Sequence, residues 1–252
     1  MHNYLFAAGL LLTILYSIFV LSLYIGLGRL KSGTNSIQHK VSVVVAARNE
    51  ESRIENCVNA LLRQDYPKEL LEIIVVNDRS EDKTLSILEN YKTNTVSLKI
   101  INIVEVPAGL SPKKYALTKG IDTAEGEIIC ATDADCIPPP TWVPEMVSYF
   151  DDKTGFVAGY SPLHVVSDNG KFKNPSTISQ NPHVKSGWLG KIFLKDFLFM
   201  DSIGLATASA GGIGFGTPWT CAGRNLAYRK SAFDEIGGYE NVKTVISGDD
   251  DL

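Results

Sequence analysis

Apolar positions along this chain change their period several times, and each change marks a boundary. From Tyr4 to Leu27 they run almost unbroken, 24 residues without a charge, as YLFAAGLLLTILYSIFVLSLYIGL. At about 1.5 Å per residue, such a helix covers the roughly 30 Å of a bilayer's hydrocarbon core. A signal peptide would need a basic leading region and a small-residue cleavage site, and only Met1, His2 and Asn3 precede the run. Tyr4 and Tyr24 lie near its two ends, where amphipathic rings favour the membrane interface. Residues 1–28 therefore predict a transmembrane anchor, and the polar RLKSGTNSIQHK of 29–40 predicts a linker.

From residue 41 the period alternates between two kinds. VSVVVAA (41–47) is a continuous β-branched run suited to a strand buried on both faces. A helix is expected after it, with Ile54, Cys57, Val58, Leu61 and Leu62 at helical spacing and Asn49 near its start. LEIIVVND (71–78), LKIINIVEV (98–106) and EIICATDAD (127–135) read as further strands. Between them, 80–93 predicts a helix capped near Ser80 and Lys83, and 111–124 predicts one with Pro112 in its first turn. Strand and helix in alternation give an α/β domain, 41–252, with a mostly parallel sheet flanked by helices. Beyond Pro140 the signal weakens to a helix in TWVPEMVSYFDD, a strand in TGFVAGYSPLHVV and an irregular polar stretch over 167–187. Residues 188–212 are apolar and helical with an interruption at Gly204. Their Lys191, Lys195, Asp196 and Asp201 favour a core or interfacial helix over a second span. The closing SGDDDL reads as the end of an interrupted reading frame, so the domain is expected to be truncated.

Composition narrows the partners. With 44% hydrophobic and 21% charged residues and a net charge of −4, the chain is ordinary globular material. It has no basic excess with which to hold nucleic acid. Its four cysteines include no C-x-x-C pair, which predicts reduced thiols rather than a disulfide framework. Arg29, Lys31 and Lys40 follow the apolar helix and no basic residue precedes it. The positive-inside rule then places one span in the cytoplasmic (inner) membrane with the remaining chain facing the cytoplasm.

Candidate chemistry collects where the strands end. In open α/β sheets, ligands bind outside the carboxyl ends of the strands. Arg48-Asn49-Glu50 follows the first strand, Asp78 the second, and Asp133-Ala134-Asp135 the fourth. Each alone has a plainer explanation: helix caps for Asp78 and Glu50, an Asp-rich turn for the last pair, solvated helix charges for Lys113 and Lys114. Together at one edge they suggest a nucleotide, with Asp133 and Asp135 gripping Mg²⁺ or Mn²⁺. The carboxylates of 249–251 are a solvated tail or a general base.

VSVVVAARNEE, EIIVVNDRSEDKT, KKYALTKGI, ATDADCIPP, GRNLAYRKSAFDEIGGY and SGDDDL, in this order, resemble the successive motifs of family 2 inverting glycosyltransferases across residues 41–252. The resemblance implies the GT-A nucleotide-diphospho-sugar transferase fold and metal-dependent transfer with inversion. The donor it implies is a nucleotide sugar, expected to be a UDP-sugar, and the acceptor a lipid-linked or other glycan. By position, Ala47, Asn49 and Glu50 correspond to the nucleotide cradle and Asp78 to the acceptor of the uracil N–H. Lys113 falls near the donor, and Asp133 and Asp135 form the metal pair, with Asp133 also counted among the donor-binding residues. The end resembles the Glu-Asp-x-Asp-Leu motif, which makes Asp249 the catalytic base with Gly248 in place of glutamate and Asp250 in reserve. Ala46 stands where the family usually has proline. The Gln-x-x-Arg-Trp motif of processive members does not occur before residue 252. A nucleotidyltransferase-like sugar-nucleotide enzyme and a non-catalytic membrane scaffold are the alternatives. The former would show a Gly-rich basic loop where Arg48-Asn49-Glu50-Glu51 stands.

Overall fold

The structure is a computed structural model that describes residues 2–92, 97–161, 165–166, 172–173, 188–218 and 221–245. In chain order, the first elements are α1 (His2–Arg29), β1 (Val41–Ala47), α2 (Ile54–Leu62), β2 (Leu71–Asp78) and α3 (Thr84–Lys92). They continue with β3 (Leu98–Ile103), α4 (Pro112–Thr123), β4 (Ile128–Asp133), α5 (Trp142–Val147) and β5 (Phe156–Ala158). Last come β6 (Val165–Val166), β7 (Phe172–Lys173), α6 (Trp188–Phe215), β8 (Leu226–Arg229) and α7 (Lys230–Glu235). The chain divides into two compact units, Met1–Lys31 with Tyr160–Cys221, and Ser32–Gly159 with Ala222–Leu252.

In the first unit, Tyr4–Arg29 is long and apolar enough to cross a membrane. It packs closely on α6. A Cβ added at Gly26 would fall 1.9 Å from the Gly211 carbonyl oxygen, so only glycine admits this approach. Arg29 lies over the Phe215 ring at 5.2 Å. Contrary to expectation, α6 runs through Gly204 without a break, and among the described residues nothing beyond the helix's own backbone lies within 4 Å of the position its Cβ would occupy.

The second unit is built on a sheet of order β3-β2-β1-β4-β8-β5. β1 to β4 are parallel, and β8 is antiparallel to both β4 and β5. The alternation of a strand explains the unbroken apolar run of β1. Val41, Val43, Val45 and Ala47 enter one core with Ile54, Cys57, Val58 and Leu61 of α2 and Trp142, Val143 and Met146 of α5. Val44 enters the other, with Ile74, Val76 and the Ala116, Leu117 and Ile121 face of α4. Full burial of each such aliphatic side chain contributes about 1.5–3 kcal/mol. Gly120 lets α4 lie flat on this face, because a Cβ there would come within 2.5 Å of Val44.

The expected α/β architecture holds, with shifted boundaries. α2 starts at Ile54 and α3 at Thr84, because the residues before them are committed to loops. Asp82 rather than Ser80 caps α3, its Oδ1 accepting the Thr84 N–H at 2.9 Å. β3 stops at Ile103, and β8 is a strand that the pattern did not reveal. The stretch before β1 is docked on the domain: the Asn35 N–H donates to Ser148 O at 2.9 Å and the Tyr66 hydroxyl to His39 O at 2.7 Å.

At the amino ends of the strands, a polar network crosses the sheet. Ser42 donates to Glu72, whose Oε1 also takes the Glu125 N–H at 2.6 Å. Lys99 bridges Glu72 and Glu125, each at 2.7 Å, and Lys40 reaches Glu125 at 2.8 Å. Hydrogen bonds from Lys40 and Lys99 pull the Glu125 carboxyl down from 4.5 to about 2. Burial pushes Glu72 up, but the bonds from Lys99, Ser42 and the Glu125 amide outweigh it and the net shift is downward. A carboxyl held below its unfolded pKa stabilises the fold above that unfolded value and loses its contribution as pH falls through the folded one. The urea midpoint is therefore expected to fall from about pH 4.5 towards about pH 2. Glu125→Gln should flatten that fall, and an unchanged slope in the variant would remove Glu125 from the account.

Candidate active site

Because β1, β2 and β4 are parallel and in register, their carboxyl ends share one edge. Ala47 pairs with Asn77, and Ala46 with Asp133. A cleft of about 410 Å³ opens there, lined by Ala46, Ala47, Arg48 and Glu50, by Asp78, by Ser111, Pro112 and Lys113 at the start of α4, and by Asp133, Ala134 and Asp135. Of the residues singled out in the sequence, Ala47, Glu50, Asp78, Lys113, Asp133 and Asp135 all line it.

The loops after β1 and β2 hold each other. Asn49 (φ 55°) and Arg79 (φ 51°) both adopt left-handed backbone, uncommon outside glycine. The Asn49 N–H donates to Ser80 Oγ at 3.0 Å, and the Glu81 N–H returns to Asn49 Oδ1 at 2.8 Å. The Glu50 N–H donates to Thr84 Oγ1 at 2.8 Å and the Lys83 N–H to Glu51 Oε2 at 3.1 Å. The Asn49 side chain thus braces the loop and is not part of the cleft lining.

Asp78 is only 4% exposed. Arg79 straddles its carboxylate, with Nε at 2.8 Å from Oδ1 and Nη2 at 3.3 Å from Oδ2. A carboxylate has about four acceptor sites, so one donated hydrogen bond to each oxygen leaves capacity for a further donor. Across the cleft, Lys113 Nζ lies 2.8 Å from Asp133 Oδ1. The turn after β4 is pinned at the Asp133 carbonyl, which receives the Cys136 N–H at 3.1 Å and the Cys57 thiol at 3.7 Å. Burial pushes both thiols up, so neither is a thiolate at neutral pH. Burial also raises the Glu50 carboxyl; Arg53 opposes this and Asp135 reinforces it.

The donor set fits a hard divalent cation. Asp133 and Asp135 offer carboxylate oxygens alone. Among the described residues no group of three or more His, Cys, Asp or Glu forms a closed cage. A two-carboxylate grip suits Mg²⁺ or Mn²⁺, which keep positions for water and phosphate oxygens, and does not suit structural zinc. Ser111 and Pro112 line the cleft without having been singled out for it, and Arg48 lines it with no role of its own assigned from the sequence. Only Pro112 at the helix start gave a signal that Ser111 sits at a helix N-terminus. Asp249 and Asp250 lie outside the described residues.

An open, mostly parallel sheet with a carboxylate-rich cleft at its carboxyl edge is the arrangement of an α/β enzyme that binds its ligand outside the strand ends. The sequence profile of "Glycosyl transferase family 2" matches residues 42–237, and the chain belongs to that family of glycosyltransferases. It is 30% identical over 208 residues to the probable glycosyltransferase YdaM of Bacillus subtilis (strain 168), covering 80% of this chain and 43% of that protein. The chain thus spans less than half the length of that relative. Its GT-A fold is shared with the mannosyltransferase PcManGT of Pyrobaculum calidifontis, solved with GDP-Man and Mn²⁺, at a TM-score of 0.59 and 20% identity over 88% of this chain and 55% of that one. It is also similar to residues 1–349 of S. aureus TarS in complex with UDP, at a TM-score of 0.50 and 22% identity over 82% and 52%.

Proposed function

We propose that this glycosyltransferase moves a sugar from a UDP-sugar to a lipid-linked or glycan acceptor with inversion at the anomeric carbon, using Mg²⁺ or Mn²⁺. The observation that carries this is the meeting, in one cleft, of Asp78, Lys113 and the Asp133–Asp135 pair. Asp78 is a buried acceptor for a nucleobase N–H. Asp133 and Asp135 hold the cation, which neutralises the diphosphate when bound, and Lys113 adds a second positive charge at the same place. Ala47 and Glu50 shape the nucleotide cradle, and Asn49 fixes its loop. Asp249, with Asp250 in reserve, takes the proton from the attacking acceptor hydroxyl. The ligands named for PcManGT and TarS, a nucleotide sugar with Mn²⁺ and UDP, support this donor class.

The apolar helix Tyr4–Arg29 anchors the enzyme in the inner membrane, with Arg29, Lys31 and Lys40 holding the catalytic unit on the cytoplasmic side. A membrane-held enzyme suits an acceptor that is itself membrane-linked. Calorimetric titration of UDP into the full chain in detergent, with and without Mn²⁺, tests the donor and the cation together. Binding is expected only with the metal. Metal-independent binding removes the role of the aspartate pair, and binding of GDP instead of UDP changes the base. Binding of neither overturns the donor assignment.

A further inference from the structure

The ladder between β4 and β8 pairs Ile128 with Arg229 and Ala131 with Leu226. Just past its end, the Thr132 hydroxyl donates to the Arg224 carbonyl at 2.9 Å. The Arg224 backbone therefore lies in the turn that leads into β8, beside Thr132 and Asp133, on the side of β4 away from β1. Strand order sets a succession along the edge: Asp78 on β2, the Arg48–Glu50 loop after β1, Asp133 and Asp135 after β4, then Arg224 before β8. A nucleotide laid with its base at Asp78 and its diphosphate at the aspartate pair points its far end at Arg224.

Arg224 Nε is buried, and among the described residues no group accepts its hydrogen bond. Arginine cannot shed its proton, and a buried charged donor without an acceptor is costly and rare in native proteins. Asp133, the neighbouring carboxylate, is bonded to Lys113 at 2.8 Å, and among the described residues no carboxylate is hydrogen-bonded to Arg224 Nε. The guanidinium fork matches the spacing of phosphate oxygens, which makes phosphate a better acceptor here than a neutral hydroxyl.

We infer that Arg224 is a phosphate-binding residue beside the cleft, beyond its Asp133 side. The phosphate is the sugar-side phosphate of the donor or a phosphate carried by the acceptor. The inference rests on the nucleotide-sugar function proposed above, and the test separates the two. UDP and UMP are titrated in Mn²⁺ into the full chain and into Arg224→Ala, followed by inorganic phosphate into the UDP-saturated proteins. If the donor supplies the phosphate, Arg224→Ala weakens UDP at least tenfold and leaves UMP unchanged, which also shows the variant folded. Arg224→Lys, keeping charge without the fork, falls between. If the acceptor supplies it, UDP is unaffected, but phosphate binds the UDP-saturated wild type and not Arg224→Ala. Equal behaviour of wild type and variants in both titrations overturns the inference. If the wild type binds neither nucleotide, the donor assignment fails instead. Phosphate titration of the nucleotide-free proteins then decides Arg224, loss in the variant supporting it and equality overturning it.

Discussion

Asp135→Ala is expected to lower UDP affinity in the presence of Mn²⁺ by about 100-fold. Even outer-shell partners of a metal change its affinity by roughly 10–100-fold, and Asp135 is assigned to the first shell. It is the exposed member of the pair, whereas Asp133 already gives one oxygen to Lys113. Asp133→Ala should therefore act twice, removing a ligand and releasing Lys113. Because the Asp135 carboxylate helps raise Glu50, its loss should also let the Glu50 pKa fall towards its ordinary value, readable by NMR titration. The assignment of Asp135 to the metal fails if its alanine variant binds UDP with undiminished Mn²⁺ dependence.

Asp249→Asn should leave UDP binding intact and reduce transfer by a factor of about 10²–10⁴, the usual contribution of a positioned general base. The approach to this residue is fixed beside the cleft. The Ser111 N–H donates to Lys243 O at 2.7 Å, and the buried Lys114 reaches Val242 O at 3.4 Å. Asp250→Asn serves as the control. If Asp250→Asn loses transfer and Asp249→Asn keeps it, the register at the end of the chain is off by one.

The strands that carry the site were legible because parallel strands buried on both faces leave an unmistakable run of β-branched residues, as in β1 and β2. The cleft followed from the same runs, since polar residues directly after such strands share one edge. β8 was hidden because LAYR is short and its alternation is lost among flanking polar residues. The late starts of α2 and α3 were also hidden. They depend on bonds between two loops distant in sequence, such as Asn49 to Ser80, which a local pattern cannot show. For the same reason no local pattern shows that the Asn49 side chain ties the two loops together. Arg224 escaped notice because an arginine before an unrecognised strand carries no periodic signal.

The strand order has a consequence for the enzyme during its own synthesis. β1, β2 and β3 are neighbours in space and successive in sequence, so they can assemble as soon as they leave the ribosome. The other side of β1 waits for β4, whose Ile128 pairs with Val41. Until that return the nascent chain displays VSVVVAA as a bare apolar strand edge, the kind of edge that recruits other chains. The same strand brings Asp133, so the step that ends this hazard is also the one that completes the carboxyl edge between β1 and β4.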